Sequence, residues 1–479
     1  MAITIGVALV SWSLLSFIFK DKERAGLLVS LVLLLFFSYG HFYNAMENFH
    51  FIAMVGRHKI LLAVWGGLFV LGAYFSIKTR KDLHNITSLL NIVAVSLVAL
   101  SLINIGAYEL KRGALHDSVS AGNLGTDPVQ LENVTALPNI YYIILDGYAR
   151  GDILQEMYQY ENADFLEYLT EKGFYVAGRS NANYSQTSLS LASSLNLSYL
   201  DDLVDHLGTE SDNRLPLEKM IKNNSAYNLL KQCDYQFVTF SSGYSATEIR
   251  DAGIYMTPGW SLSEFQNVFI NTTPIPVLMD KLPGKSQYDL HRDRLLYIMD
   301  HLADTTEIDS PIFVFAHIIA PHPPFVFGEH GERINPGRNF LLADGAQYAN
   351  LTQDEYMKNY IGQLIFVNEK IKETIDAILS SSSEPPVIIL QGDHGPGSML
   401  DWENPDQTIL RERMPILNAY YLPGEDGHEQ LYDEITPVNT FRVIFNQYFG
   451  MNYELLQDKS YFSGWFHPYD LVDVTGEIR

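Results

Sequence analysis

Ile140-Tyr141-Tyr142-Ile143-Ile144-Leu145 is an unbroken apolar and aromatic run that stops abruptly at Asp146-Gly147. Runs of this length and composition fit strands buried on both faces, as in a parallel sheet covered by helices. Three later stretches repeat the design. Phe237-Val238-Thr239-Phe240 ends at Ser241-Ser242-Gly243, and Ile312 to Ala316 ends at His317 and then Pro321-His322-Pro323-Pro324. Val387-Ile388-Ile389-Leu390 ends at Gly392-Asp393-His394-Gly395. One crossover is legible in full. Thr352 and Glu355 have the spacing of a capping box, and Tyr360, Leu364, Val367, Ile371, Ile375 and Ile378 then recur at helical spacing. Ser380 to Pro386 predicts the stop before the fourth strand. Strands alternating with helices predict an α/β domain with a mostly parallel central sheet over residues 139–479.

Towards the N-terminus the composition changes. Residues 1–110 carry eight basic and five acidic residues and four apolar runs, at 2–19, 25–45, 59–77 and 87–107. A crossing helix needs about 20 apolar residues to cover about 30 Å of hydrocarbon. The pattern predicts an α-helical transmembrane anchor of four helices over 1–110, with the first run the shortest. That run lacks the basic residues that precede the apolar core of a cleavable signal, and Lys20 to Arg24 follow it, so it reads as a retained helix. Loops 20–24 and 78–82 carry three basic residues each, more than the loop at 46–58. The positive-inside rule puts those two loops in the cytoplasm, and four crossings then put the body after Tyr108 outside. Residues 111–138 have no clear period and read as a linker.

The whole chain has 32 basic and 56 acidic residues, a net charge of −24 that falls almost entirely on the body. Nucleic-acid binding is excluded, since it requires basic groups to neutralise phosphates. The one cysteine, Cys233, excludes an internal disulfide framework and a multi-thiolate zinc site. A large outer body without disulfides points to a bacterial inner membrane protein.

Ligands of open α/β sheets bind outside the carboxyl ends of the strands. Asp146, His317, His322, Asp393 and His394 all follow strand-like runs, so they are expected to converge on one edge. Asp with Asp-His is an oxygen and nitrogen ligand set suited to zinc or manganese. Taken singly, each feature has a plainer reading. Asp146-Gly147 is a turn signal, the hydroxyl-rich stretch around Thr187 suits a helix cap, and His322 among prolines is a rigid turn residue. His317 reads equally as a core histidine. Asn183 and Arg413 are further candidates for approach to an anionic substrate, against turn and surface-charge readings.

The ordered set Tyr142 to Gly147, Gln186 to Leu195, His322 to Phe325 and Gly392 to Gly395 resembles the alkaline phosphatase/sulfatase superfamily. It is most similar to the membrane-anchored sulfatase-like hydrolase/transferases, relatives of lipoteichoic acid synthases and phosphoethanolamine transferases. Those proteins also place a multi-helix anchor before an extracytoplasmic catalytic domain. The resemblance covers most of residues 139–450. It implies that Thr187 is the nucleophile and that Asp146, Asp393, His394 and Thr187 hold one divalent metal, zinc or manganese ahead of magnesium. It implies that His322 contacts the transferred group or protonates the leaving oxygen; His317, Asn183 and Arg413 are further substrate-binding candidates from the residues alone. The activity implied is movement of a phospho group, such as phosphoglycerol or phosphoethanolamine, of an envelope lipid or glycan through a covalent threonine intermediate. The partners would be the lipid bilayer and that substrate.

Two departures qualify the resemblance. Those transferases usually carry Glu at the first ligand, whereas Asp146 stands here, as in nucleotide pyrophosphatase-type phosphodiesterases. Standard sulfatases need a Cys/Ser-x-Pro-x-Arg motif. Thr187-Ser188-Leu189-Ser190 lacks the Pro and Arg, and Cys233 also lies outside such a motif. Sulfuric ester hydrolysis is therefore the alternative, and an inactive membrane sensor or scaffold the third reading. Ligands for a second metal are not evident, and the tail from 451 reads as the family's closing segment.

Overall fold

The computed structural model describes residues 2–46, 57–79, 83–116, 137–279, 284–309, 311–336, 339–424 and 427–478. Most of the predicted loop 46–58, residues 80–82 of the loop 78–82 and residues 117–136 of the predicted linker lie outside the described residues. The chain forms two compact units. One comprises residues 1–118 and 265–286, the other residues 119–264 and 287–479.

The first unit is built on α1 (Ala2–Phe19), α2 (Lys22–Ala45), α3 (Arg57–Lys78) and α4 (His84–His116). Asp21 caps α2, its carboxylate accepting from the amides of Glu23 and Arg24. Lys22–Ala45, His58–Lys78 and His84–Ala107 are long and apolar enough to cross a membrane, while the apolar part of α1, Thr4–Phe19, is shorter. On α4, Ile92, Val95 and Leu97 are each exposed by at least 60%. A helix that shows apolar side chains around its circumference is a helix in lipid, because water would drive them inward. Two short helices from much later in the chain belong to this unit: α6 (Glu264–Asn271), apart from its first residue, and α7 (Ile275–Met279).

The second unit is a seven-stranded sheet in the order β2-β7-β6-β1-β5-β3-β4. The strands are β1 (Ile140–Leu145), β2 (Tyr175–Val176), β3 (Gln236–Phe240), β4 (Ile254–Met256), β5 (Ile312–Ile318), β6 (Val387–Gln391) and β7 (Asn418–Tyr421). The five strands from β6 to β4 are parallel, whereas β7 pairs antiparallel with β6, and β2 with β7. The four predicted runs are four of these five parallel strands. The edge strands β2 and β4 and the inner strand β7 were not legible, because strands of two to four residues carry too little pattern to stand out. β5 runs on through Ile318, so His317 lies inside the strand rather than after it.

Every residue of β1 is buried, and its alternation serves two cores. Tyr141, Ile143 and Leu145 pack with α9 (Gln353–Ser381) and α8 (Gln287–His301). Ile140, Tyr142 and Ile144 pack with α5 (Thr187–Leu195) and α10 (Pro437–Phe449) on the other face. The predicted capping box starts α9: Thr352 Oγ1 accepts from the Glu355 amide, and the Glu355 carboxylate accepts from the Thr352 amide. Leu364 on α9 is fully buried. Leu364→Ala should lower stability by about 2–5 kcal/mol, the usual cost of such a cavity. The exposed control Lys358→Ala should stay within about 0.5 kcal/mol. Thermal unfolding of the detergent-solubilised pair reads the difference.

Candidate metal centre

Parallel register assembles the site. Ile144 of β1 pairs with His317 of β5 on one side and with Gln391 of β6 on the other. Asp146, His317 and Asp393 therefore emerge at the same level on the carboxyl edge, and one ligand atom from each lies within 4.8 Å of the others. All three are buried. Glycine is required at two turns here. Gly147 has φ +72°, and a Cβ at Gly395 would fall 2.2 Å from the Glu412 carbonyl oxygen. The Asp146 carbonyl accepts from the His322 amide, which fastens the His322 turn to the end of β1.

The carboxylates are only half satisfied. Asp393 Oδ1 accepts from the amides of Gly147 and His394. Asp393 Oδ2 and Asp146 Oδ1 are buried and accept no hydrogen bond. Burial alone would raise the Asp146 pKa, but the nearby charge of His322, foremost, reverses the effect and holds it well below the usual carboxylate range.

Hydrogen bonding at the far side of each ring fixes the histidine tautomers. Ser242 Oγ donates to the Tyr244 carbonyl, and Thr247 Oγ1 donates to Ser242 Oγ. His317 Nδ1, 2.8 Å from Thr247 Oγ1, is then the donor to it. That leaves a lone pair on His317 Nε2, which lies 3.2 Å from Asp146 Oδ2 without making a hydrogen bond. His394 behaves alike. Its Nδ1 donates to the Gly395 carbonyl at 2.9 Å. Its Nε2 lies 3.5 Å from Asp146 Oδ1, 3.5 Å from Asp393 Oδ2 and 3.1 Å from Thr187 Oγ1. Lone pairs and carboxylate oxygens turned on one another repel unless a cation lies among them. The donor set fits a divalent metal, with imidazole nitrogens oriented from their other ring atom as metal-binding histidines usually are.

His322 is different. Its Nδ1 donates to the Pro323 carbonyl, and its Nε2 lies 3.5 Å from Asp344 Oδ1. Burial would lower its pKa, yet the charges of Asp146 and Asp344 and the Pro323 carbonyl raise it above the ordinary value. Both ring nitrogens therefore suit donation, which sets His322 apart from His317 and His394.

Asp344 had no signal in the sequence. It lies outside every strand and helix, and no motif marks it. It pairs with Arg413 Nη2 at 2.5 Å and approaches His394 Nε2 to 3.8 Å. Burial would raise its pKa, and Arg413, His322 and His394 lower it instead. Arg413 is fully buried. Its guanidinium donates to the carbonyls of Ser185 and Gly395 as well as to Asp344. It braces the turns that carry Thr187 and His394. Asn183 is also taken up by the fold: its amide donates to Tyr199, Thr436 and the Lys459 carbonyl and accepts from the Val438 amide. Thr247, the residue that orients His317, was likewise absent from the sequence reading.

The sulfatase family profile matches residues 138–441. Among solved structures the chain is similar to the C-terminal periplasmic domain of EptC from Escherichia coli, with 11% identity and a TM-score of 0.43, covering 70% of this chain and 92% of that one. It is similar to the integral membrane lipooligosaccharide phosphoethanolamine transferase A from Neisseria meningitidis, with 13% identity and a TM-score of 0.42, covering 85% and 78%. It is also similar to the lipoteichoic acid synthase LtaP from Listeria monocytogenes, with 12% identity and a TM-score of 0.41, covering 71% and 80%. No curated protein matches it in sequence.

Two predictions follow from this geometry. Thr247→Val keeps the shape but removes the group that holds the His317 tautomer, and should weaken zinc binding about 10–100-fold by competition with a chelator. The second concerns His291 on α8, a buried ring whose pKa burial, then Arg294 and His322, push down to about 3. The unfolded chain takes up this proton near pH 6.5, while the folded chain resists until about 3. Stability should therefore fall as pH drops through that window. In His291→Leu the fall between pH 6 and pH 4 should be shallower, read by denaturant unfolding at each pH.

Proposed function

We propose, because this chain belongs to the sulfatase family, that it is a metal-dependent hydrolase or transferase that moves a phospho group of an envelope lipid or glycan through Thr187. One observation carries the reading: Thr187 Oγ1 lies 3.1 Å from His394 Nε2, which also lies 3.5 Å from each of the unpartnered oxygens of Asp146 and Asp393. Thr187 is also the first residue of α5, and a helix N-terminus favours an anionic group.

Asp146, Asp393, His394 and Thr187, with His317 added to the set, would hold the cation. A bound zinc or manganese ion would lower the pKa of the Thr187 hydroxyl and neutralise charge on the phosphoryl oxygens. Thr187, its hydroxyl proton released to solvent, attacks phosphorus as the bond to the leaving oxygen breaks. His322 gives its Nε2 proton to that oxygen. Water or an acceptor hydroxyl then attacks phospho-Thr187 as the bond from phosphorus to Thr187 Oγ1 breaks; the now neutral His322 takes the attacker's proton, and the freed Thr187 oxygen regains a proton from solvent. Asp344 orients His322 and, through Arg413, the turns on either side of Thr187.

Sulfate-ester hydrolysis with an oxidised nucleophile is disfavoured by chemistry. The aldehyde such enzymes use forms from the primary Cβ of Cys or Ser, and Thr187 has a secondary one. A scaffold has no use for oriented ligands around buried carboxylates that cost stability. The basic loops put the body outside the cytoplasm, where the anchor raises the effective concentration of a lipid-linked substrate.

Accurate-mass spectrometry of the Thr187 peptide from native membranes tests the reading. A phosphate-bearing adduct, absent from Thr187→Ala, is expected, and its mass separates phosphate from sulfate and from substituted phosphates. Thr187→Ala should lower turnover by about 10³-fold or more. Asp393→Ala should lose bound metal while keeping its circular dichroism spectrum. A variant that retains both metal and activity would overturn the assignment.

A further inference from the structure

Between β4 and α8 the chain leaves the sheet unit, and residues 265–286 fold with the membrane helices instead. Their contacts with α2 are close. The Gly40 amide donates to the Thr272 carbonyl at 3.0 Å, and a Cβ at Gly40 would fall 1.8 Å from the Asn271 carbonyl oxygen. Phe37 and Phe269 have ring centroids 5.5 Å apart. Val277 of α7 is buried with Tyr39, Tyr43 and Leu61.

The depth of this contact follows from helix geometry. Gly40 lies about 27 Å along α2 from Lys22, at 1.5 Å per residue. The hydrocarbon layer is about 30 Å thick. If the basic loop at Lys20 to Arg24 marks one face of the bilayer, Thr272 lies near the opposite face.

The outward surface of the segment is apolar. Phe265, Val268 and Phe269, at i, i+3 and i+4 of α6, are 76%, 53% and 40% exposed, and Leu278 of α7 is 50% exposed. The buried side of α6 carries Asn267. A short helix that turns an amide inward and a stripe of phenylalanine and valine outward is inverted relative to a helix in water. With a spanning helix packed against it, the medium that covers this stripe is lipid.

We propose that residues 265–279 are a second membrane contact, an interfacial element whose Phe265–Val268–Phe269 stripe lies among headgroups and upper acyl chains. The sheet unit is then tied to the membrane unit by three chain crossings, near residues 118, 264 and 286, rather than by one linker. This holds whether or not Thr187 carries chemistry.

The test uses the full chain in a Cys233→Ala background, with a nitroxide on Phe265→Cys, Val268→Cys or Phe269→Cys, and on Lys358→Cys as a water-exposed control. The protein is reconstituted in vesicles of phosphatidylethanolamine and phosphatidylglycerol. Collision with oxygen is expected to exceed collision with a water-soluble nickel chelate at 265, 268 and 269, with the reverse at 358. Nickel-dominated collision at all three sites would mean that the stripe faces water. Protection from both reagents at all three would mean that a protein surface, such as a second copy, covers it. Either result overturns the proposal. Should one substitution unfold the protein, the other two positions carry the reading.

Discussion

Two carboxylate oxygens, Asp146 Oδ1 and Asp393 Oδ2, are buried at the end of the sheet with no hydrogen-bond partner. Leaving negative charge in that state is among the most costly arrangements a fold can hold. Most of the surrounding structure answers it. His317 and His394 are turned so that their Nε2 lone pairs face the same space, and that space suits a cation. The carboxylates of Asp146 and Asp344 hold the pKa of the neighbouring His322 above its ordinary value. The central strand is buried on both faces, so Asp146 has no route to solvent by local adjustment. The stability of the two cores sustains the electrostatic strain at their shared edge.

Around this centre a second layer of contacts fixes geometry without touching it. Thr247 acts on His317 through one hydrogen bond. Arg413 acts on two turns at once, since Ser185 precedes Thr187 by two residues and Gly395 follows His394. Its charge is matched by Asp344, which also faces His322 and His394. Thr187, His322 and His394 are thus linked through one buried ion pair. Such a pair contributes little net stability but fixes positions closely, because breaking it strands a charge away from water.

The other organising feature is the way the two units share the chain. The body does not simply follow the anchor. It contributes a stretch of its own sequence to the membrane helices, against Gly40, where the lack of a side chain lets two backbones meet.

The strand runs, the α9 capping box and the strand-end acids were legible because each is a local pattern whose physical cause lies within a few residues. So were the three long apolar helices, since length and hydrophobicity alone decide whether a segment can span hydrocarbon. The short edge strands were not, and neither were Asp344, Thr247 and the engagement of Asn183 and Arg413 in bracing. His317 moved from candidate substrate contact into the ligand cluster because one pairing register, Ile144 with His317, sets its depth. The sequence by itself determined which elements form and which residues stand at the strand ends. Only the tertiary structure decided which ring nitrogens are turned to the carboxylates, and which segment of the body joins the membrane helices. Those outcomes depend on partners 70 to over 200 residues away in the chain, as with Thr247 and His317, or Gly40 and Thr272.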